Sequence, residues 1–152
     1  MAIPRPRYHS KRKRRKGRFD RGFYHPVNEG KYIKPIDRTM NAGPYPEYRS
    51  SWEKVFMKYI DYSDNIKSWG TEPFAIKYVS PKDNRFHRYF VDFVLVMQDG
   101  SKHLIEIKPL SQCKNPINLA KWEAAKAYCA SIGATFTVIT EVDLKKWGLL
   151  KS

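Results

Sequence analysis

Two acidic residues and a lysine occupy the arms of a predicted β-hairpin in the middle of the chain. Asp92 lies in residues 89–97, which are rich in Val and Phe and predict a long strand. Glu106 and Lys108 lie in residues 102–109, which predict its antiparallel partner across the turn sequence Gln-Asp-Gly. Because side chains alternate along a strand, Glu106 and Lys108 project to the same face. Carboxylates beside an amine are the residue types of metal-assisted hydrolysis.

The turn decides whether the two carboxylates meet. A three-residue loop with Gly100 in the left-handed conformation pairs Met97 with Ser101. That register sets Asp92 directly opposite Glu106, whereas a two-residue loop would send them to opposite faces. We expect the three-residue loop. The other face of the hairpin is then predicted to be largely apolar, with Val91, Phe93, Leu95, His103, Ile105 and Ile107.

Two carboxylates opposed across strands destabilise a hairpin unless something compensates for their charge. A bound Mg²⁺ ion does so, because a hard cation takes oxygen ligands and keeps water molecules for chemistry. We expect Mn²⁺ to substitute for it. Lys108 stands where it can orient a metal-bound water or stabilise charge on a phosphorane-like transition state. The alternative is a solvated strand face on which Lys108 only forms a salt bridge with Glu106.

A predicted helix with a further glutamate precedes the hairpin. Ser50 is a suitable N-cap, and Glu53 follows at the spacing of a capping box. Spacing alone leaves two roles open for Glu53, which either closes the backbone amide of Ser50 or adds a carboxylate to the site. An apolar stripe predicts a helix over about residues 51–62. The stripe comprises Trp52, Val55, Phe56, Tyr59 and Ile60.

The run Phe90-Val91-Asp92 followed by Ile105-Glu106-Ile107-Lys108 resembles the PD-(D/E)xK nuclease signature, with Val91 in place of its proline. Residues 49–109 resemble more closely the endonuclease subunit of TnsA-type transposases. There, an R-S-x-x-E helix precedes an x-D-F strand and an (I/V)-E-(I/V)-K-P strand. The matching positions are Arg49, Ser50, Glu53, Asp92, Phe93, Glu106, Lys108 and Pro109.

The chain length, the basic N-terminus and residues 124–140 are also similar to the head completion nucleases of T4-like tailed phages, small relatives of that group. The resemblance covers about residues 45–145. It implies a restriction-endonuclease-like fold and Mg²⁺-dependent hydrolysis of double-stranded DNA in phage head completion after packaging. Portal, neck or head proteins are the implied partners. The implied location is the virion and, during assembly, the host cytoplasm.

The resemblance also implies a role for each site residue. Asp92 and Glu106, with the Ile107 carbonyl, are the implied metal ligands. Lys108 is the implied group that positions the attacking water, and Glu53 contacts the metal or a metal-bound water from its helix. Two other functions stay open. One is a structural head or neck protein that binds DNA without cutting it, and the other is a TnsA-like subunit that cuts transposon ends with a partner transposase.

The remaining segments complete a predicted αβββαβ core. A β–helix–β crossover between the third and fourth strands implies a mixed sheet with helices packed on it. The expected fold class is α/β, with a restriction-endonuclease-like domain over residues 49–152 after an irregular arm and strap over residues 1–48. The other predicted elements are a strand at 74–79, a polar turn at 80–85, a helix at 118–131 ended by Gly133, a strand at 135–140 and a short helix at 143–149.

Positive charge is concentrated at the N-terminus. The chain has 29 Lys and Arg against 15 Asp and Glu, a net charge of +14, of which +10 falls in the first 50 residues. We interpret residues 1–20 as a basic arm that binds phosphates, with a nuclear-localisation run or a solubilising tail as alternatives. Residues 21–48, rich in aromatics and prolines, form a strap pinned to a partner or to the body. The candidate DNA-binding residues are Lys11, Arg12, Lys13, Arg14, Arg15, Lys16 and Arg18 in the arm, then Arg49, Arg88 and Lys114.

Several classes of protein are excluded by composition. The longest apolar run is the five residues from Phe93 to Met97, too short for a transmembrane helix, and no membrane partner is expected. Cys113 and Cys129 have no further Cys or His near them at zinc spacing, which argues against a zinc module and a disulfide scaffold. We expect no small-molecule cofactor.

Overall fold

The computed structural model describes residues 21–33, 45–72 and 74–151. The predicted basic arm, with its seven candidate DNA-binding residues, lies outside these ranges. Within them the chain forms three α-helices, and all three were predicted to within a few residues at each end. They are α1 (Ser51–Tyr62), α2 (Pro116–Ile132) and α3 (Glu141–Lys146).

The described residues also form eight strands in two small ladders and one central sheet. In chain order the strands are β1 (Gly22–Phe23), β2 (Glu47–Tyr48), β3 (Ile66–Thr71), β4 (Ala75–Val79), β5 (Phe86–Phe90), β6 (Phe93–Met97), β7 (Lys102–Ile107) and β8 (Thr135–Ile139).

The central sheet is mixed, as predicted. Its strand order is β3–β6–β7–β8, with β6 antiparallel to both β3 and β7 and with β8 parallel to β7. A parallel pair needs a crossover, which α2 provides between β7 and β8. Gly133, whose φ is 70°, ends α2 in the left-handed conformation.

The first strands differ from the prediction. The predicted strand at 74–79 exists as β4, but it pairs with β5 outside the central sheet. The outer position of the sheet belongs to β3, which the sequence analysis missed. Its apolar pattern is interrupted by Lys67, Ser68 and Gly70. The fully buried Trp69 packs β3 against the core.

The prediction of a single strand over residues 89–97 is wrong, because the strand ends at Phe90 and a new one begins at Phe93. Tyr89 and Val91 both pack in the cluster beneath α2, whereas Phe93 packs in the cluster beneath α1. Strict alternation predicts that Val91 and Phe93 share a face, but in the structure they do not. The alternation resets at Asp92, where the chain passes from the β4–β5 hairpin into the central sheet.

Helices cover both faces of the sheet. Phe56, Met57 and Ile60 of α1 are almost fully buried on one face, and Trp122 and Ala125 of α2 are buried on the other. Burial of this apolar surface is the main force that holds α1 and α2 against the strands. None of the described helices combines the length and the apolarity needed to cross a membrane.

The described parts of the strap lie against the body of the protein. Tyr24 and Tyr32 are buried beside Trp69, with ring centroids 6.2 and 5.0 Å from it. β1 pairs with β2, which brings the start of the strap next to its end. Of the two alternatives for the strap, the described residues show attachment to the body.

Candidate active site

The register of the β6–β7 hairpin brings Asp92 and Glu106 together. Phe93 pairs with Ile105, and the amide of Met97 donates to the carbonyl of Ser101 at 2.8 Å. The loop therefore has three residues, and its Gly100 has a φ of 86°. This is the predicted register. Continued one step beyond the Phe93–Ile105 pair, it sets Asp92 opposite Glu106.

Asp92 and Glu106 are both held in place by neighbouring groups. The amide of Ile107 donates a hydrogen bond of 2.8 Å to Asp92 Oδ2. Glu106 is only 4 % exposed, and its Oε2 lies 3.5 Å from the ammonium of Lys108. The salt bridge between Lys108 and Glu106 is thus present. This salt bridge is mostly buried and lies beside a second carboxylate, so it differs from the salt bridge on a solvated strand face that was the alternative.

Glu53 reaches the site from the first turn of α1. Ser50 caps this helix, because its Oγ accepts a hydrogen bond of 3.1 Å from the Glu53 amide. The Glu53 carboxylate accepts hydrogen bonds from Ser50 Oγ at 3.2 Å and from the Arg49 amide at 3.5 Å. The amide that it meets is thus one residue before the N-cap, which differs from the reciprocal bond of a capping box.

The three carboxyl groups influence one another. Burial raises the pKa of Asp92 well above its usual range, and the charges of Glu106 and Glu53 raise it further, against the Ile107 amide and Lys108. Burial raises the pKa of Glu106 as well, while the charge of Lys108 lowers it. Burial raises the pKa of Glu53 to about 7. It is therefore costly to ionise all three carboxyl groups together, and a cation bound among them would reduce that cost.

The atoms available to such a cation are oxygens. Glu106 Oε1 is buried and meets no hydrogen-bond partner in the described part of the chain, and hard cations such as Mg²⁺ prefer oxygen ligands of this kind. Nowhere in the described residues do three or more His, Cys, Asp or Glu side chains converge closely enough to hold a metal ion. Glu53 is therefore coupled electrostatically to Asp92 and Glu106 without joining them in one ligand cluster.

A cavity of about 450 Å³ is lined by Glu53 and Lys108. Arg49 lines it too, and the segment leading into α2 contributes the polar side chains of Gln112 and Asn118. A lysine, an arginine and a glutamate thus line a space large enough for a phosphate group and its water molecules. Asp92 and Glu106 are not among the lining residues, so they lie next to this space without forming its wall.

The other candidate DNA-binding residues have different surroundings. Arg49 forms ion pairs with Glu72 and, at 3.6 Å, with Glu47, so carboxylates already engage its guanidinium. Arg88 is exposed on β5, and Lys114 is exposed just before α2. Neither Arg88 nor Lys114 lines the cavity.

Two aromatic residues near Glu106 were missed as parts of the site. Among the described residues, no hydrogen-bond partner meets the buried hydroxyl of Tyr89 or the buried indole nitrogen of Trp122, and the same is true of Glu106 Oε1. The pKa of Glu106 is raised by burial and lowered by Lys108 and then by the Tyr89 hydroxyl. Trp122 is buried in the core cluster beneath α2. The sequence held no signal for a polar role of Tyr89, because that role depends on the α2 crossover.

Two carboxylates that meet at the β6–β7 hairpin, a lysine just after β7 and a helix glutamate, on a mixed sheet between helices, define a nuclease of the restriction-endonuclease-like class. Residues 63–141 match the model of the TnsA-like endonuclease N-terminal family, and the chain belongs to that family. Asp92, Glu106 and Lys108 lie within the matched residues, and Glu53 lies before them. The predicted fold class and the predicted resemblance are both confirmed.

A relative from a phage is similar over most of its length. The head completion nuclease of Enterobacteria phage T4 is 29 % identical to this chain over 142 residues, which cover 78 % of the chain and 95 % of the relative. Both comparisons describe nucleases, so the chain is a nuclease of the TnsA-like group.

Proposed function

We propose that this nuclease hydrolyses the phosphodiester bonds of double-stranded DNA with Mg²⁺ as its cofactor. The observation that carries the proposal is the meeting of Asp92 and Glu106 across the β6–β7 hairpin beside Lys108. Like charges in such a position destabilise a strand pair, and carboxyl groups with strongly raised pKa values cluster at functional sites. The raised pKa values of the carboxyl groups and the unpartnered Glu106 Oε1 fit a site for a hard cation.

Asp92, Glu106 and the carbonyl of Ile107 would hold the metal, and Glu53 would contact it or one of its waters from α1. When bound, Mg²⁺ supplies a Lewis acid for the phosphate and a water of lowered pKa, and Mn²⁺ takes similar oxygen ligands. The Ile107 amide fixes one oxygen of Asp92 and so orients this carboxylate.

Lys108 is the residue that this proposal assigns to the attacking water. Lys108 lines the cavity, and the salt bridge to Glu106 restrains its ammonium. A fixed positive charge at this position can orient the water and stabilise the negative charge that develops on the phosphate in the transition state. Glu53 faces the same cavity and can hydrogen-bond the same water.

Plasmid cleavage by the full-length protein tests the proposal. The wild type should cut with Mg²⁺ or Mn²⁺ and should not cut with EDTA. Asp92→Ala and Lys108→Ala should each lower the cleavage rate by about 100-fold or more. Lys102→Ala is the matched control, because Lys102 is an exposed lysine at the other end of β7. It should cut at the wild-type rate.

The outcomes separate the proposal from its first alternative. A wild type that binds DNA in a salt-sensitive way but remains inert with every divalent metal contradicts the proposal. It would favour a structural protein that binds DNA without cutting it, or a nuclease that cuts only with a partner. A variant that loses cleavage because it unfolds is recognised by circular dichroism, and only folded variants count.

We further propose that the nuclease acts in phage head completion after DNA packaging, with portal, neck or head proteins as partners. The support is the similarity to the T4 head completion nuclease over most of both chains. This role requires the protein in the virion and, during assembly, in the host cytoplasm. An antibody to the chain should detect it in gradient-purified virions, and detection only in infected-cell extracts would contradict the role.

The second alternative is a TnsA-like subunit that cuts transposon ends, and the family match favours it. Such a subunit should cut only with a partner transposase. Cleavage of plasmid DNA by the purified chain alone would exclude it.

A further inference from the structure

The β4–β5 hairpin stands apart from the central sheet and has two different faces. Ile76, Tyr78 and Tyr89 are buried on one face and pack in the cluster beneath α2. The opposite face is exposed, and we call it the outer hairpin face. It consists of Lys77, Val79, Phe86 and Arg88.

The outer hairpin face combines paired cations with exposed apolar groups. Lys77 is directly opposite Arg88, and Val79 is directly opposite Phe86. Phe86 is 75 % exposed and Val79 is 44 % exposed. Like charges directly opposite each other destabilise a strand pair, so this face gains stability when an anion lies on it.

No carboxylate in the described residues neutralises these two cations. Arg88 lies over the ring of Phe90, 5.4 Å from its centroid, and neither Lys77 nor Arg88 forms an ion pair in this part of the chain. An arginine on an aromatic ring keeps its guanidinium edge available for an anion. The face is therefore complementary in charge to a polyanion.

The turn that joins the two strands is ordered by its own hydrogen bonds. The Ser80 amide donates to the Arg85 carbonyl at 2.9 Å, and the Asn84 amide donates to the Ser80 carbonyl at 2.8 Å. The carboxylate of the turn, Asp83, is engaged by His87 at 2.8 Å. Lys82 adds a further exposed cation. The hairpin is thus a preorganised and positively charged projection.

The outer hairpin face continues towards the candidate active site. Tyr89 and Val91 both point into the cluster beneath α2. Because side chains alternate along β5, Arg88 and Phe90 lie on the other side, and Asp92 follows Phe90 by two residues in the chain. A short stretch of chain thus joins the outer hairpin face to the candidate active site.

We propose that the outer hairpin face is a docking surface for duplex DNA, on which Lys77 and Arg88 contact phosphates and Phe86 contacts the sugar and base edges of a groove. The proposal rests on the proposed DNA endonuclease function and specifies the surface of the protein on which the duplex lies. Cations supply the affinity in such a contact, and an exposed aromatic side chain inserted in a groove fixes the position.

Equilibrium binding without cleavage tests this surface. The full-length Asp92→Ala protein is titrated in EDTA against a fluorescent duplex at several salt concentrations. Adding Lys77→Gln with Arg88→Gln should lower the slope of log K against log salt by about 1.8, since each phosphate contact contributes about 0.9. Phe86→Ser should weaken binding about fivefold and leave the slope unchanged.

The matched control removes the same charge elsewhere. Lys145→Gln with Lys146→Gln removes two exposed lysines from α3, whose Leu144 packs in the other core cluster. This pair should leave the slope unchanged. The five hairpin and control positions are exposed, and melting curves should show that each variant is folded and at least as stable as its Asp92→Ala parent.

The proposal is overturned if the hairpin variants bind DNA with the affinity and slope of their parent. Normal DNA binding with lost binding to phage heads would overturn it too, and would assign the face to a protein partner. Failure of this surface is distinct from failure of the nuclease proposal. Cleavage by the wild type with Mg²⁺ is scored separately, and it does not depend on the slope measured in EDTA.

Discussion

The main-chain amide of Ile107 donates a hydrogen bond of 2.8 Å to the carboxylate of Asp92. The bond joins the residue just before β6 to the last residue of β7, where no ladder pair of the hairpin remains to hold the two segments. It offsets part of the burial cost of Asp92 and lowers its pKa against the effect of that burial. Asp92 is therefore both a charged group of the site and a structural link between the two strands.

Asp92→Asn separates these two roles. The amide oxygen of asparagine can still accept from Ile107, but the negative charge beside Glu106 and Glu53 is lost. We expect cleavage to fall by about 100-fold or more and the melting temperature to stay level or rise. Asp99→Asn in the hairpin turn is the control, because Asp99 accepts from the Ser101 amide at 2.9 Å and is fully exposed. Full activity of Asp92→Asn would show that its charge has no role.

The raised pKa of Glu53 predicts how stability varies with pH. The folded protein without metal holds a proton on Glu53 up to about pH 7, whereas the unfolded chain releases it near pH 4.5. Between these values the folded state binds more protons, so this contribution to the free energy of unfolding falls as the pH rises. Its full size is at most about 3 kcal/mol. Glu53→Gln should therefore stabilise the protein more at about pH 8 than at about pH 5.

Melting curves at the two pH values, with EDTA and with Mg²⁺, measure this effect. Mg²⁺ competes with protons for carboxylates, so it should raise the melting temperature of the wild type more at the higher pH. Glu123→Gln, an exposed glutamate on α2, is the control and should show no such dependence. An equal effect of Glu53→Gln at both pH values would contradict the raised pKa.

Tyr89→Phe tests the group that lies behind Glu106. The hydroxyl of Tyr89 lowers the pKa of Glu106, so its loss should leave Glu106 protonated to a higher pH. We expect the acid limb of the cleavage profile to move to higher pH and the Mg²⁺ requirement to rise a few-fold. Stability should change little, because phenylalanine keeps the buried ring of Tyr89 and nearly all of its volume.

Tyr78→Phe is the matched control for that substitution. Tyr78 and Tyr89 are buried in the same hairpin, and Lys121 lies over both rings at 5.8 and 5.7 Å. The Tyr78 hydroxyl is not among the groups that shift the pKa of Glu106. Equal pH profiles for the two variants would assign Tyr89 a packing role only.

The hairpin of the site was predictable because local chemistry fixes it. Gly100 can adopt the positive φ that a three-residue loop needs, and that loop alone sets Asp92 opposite Glu106. The helix α1 was predictable for a similar reason, since Ser50 caps it and its apolar stripe has a regular period. In both cases residues close in sequence are sufficient to predict the local structure.

The missed features depend on residues distant in sequence. β3 lacks a clear alternation and is held by the burial of Trp69 under the strap and α1. The strand is interrupted at Asp92 because β5 forms an antiparallel hairpin with β4, whereas β6 pairs with β3 in the central sheet. Tyr89 meets Glu106 only because α2 and the β4–β5 hairpin close over the same face. No pattern of neighbouring residues predicts these long-range contacts.

The strap is fastened to the end of α1 by a buried carboxylate. Asp61 is fully buried in the last turn of α1, where a negative charge is unfavourable to the helix dipole. It accepts hydrogen bonds from the Tyr24 hydroxyl at 2.6 Å and from the amides of Val27 and Asn28 at 2.7 and 3.2 Å. Lys31 donates to the Asp61 carbonyl at 2.8 Å and so adds a cation at this helix end.

Asp61→Ala should therefore release the strap and lower the free energy of unfolding by about 3 kcal/mol, because the three donors to its carboxylate lose their acceptor. Asp64→Ala is the control, since Asp64 is exposed just beyond the helix and should change stability by less than about 0.5 kcal/mol. Urea unfolding measures both. Because the strap is released, Asp61→Ala should also make residues 21–33 more sensitive to protease. The strap leads through β2 to Arg49 and Ser50, which line the cavity. Wild-type stability of Asp61→Ala would mean that the aromatic contacts with Trp69 alone hold the strap.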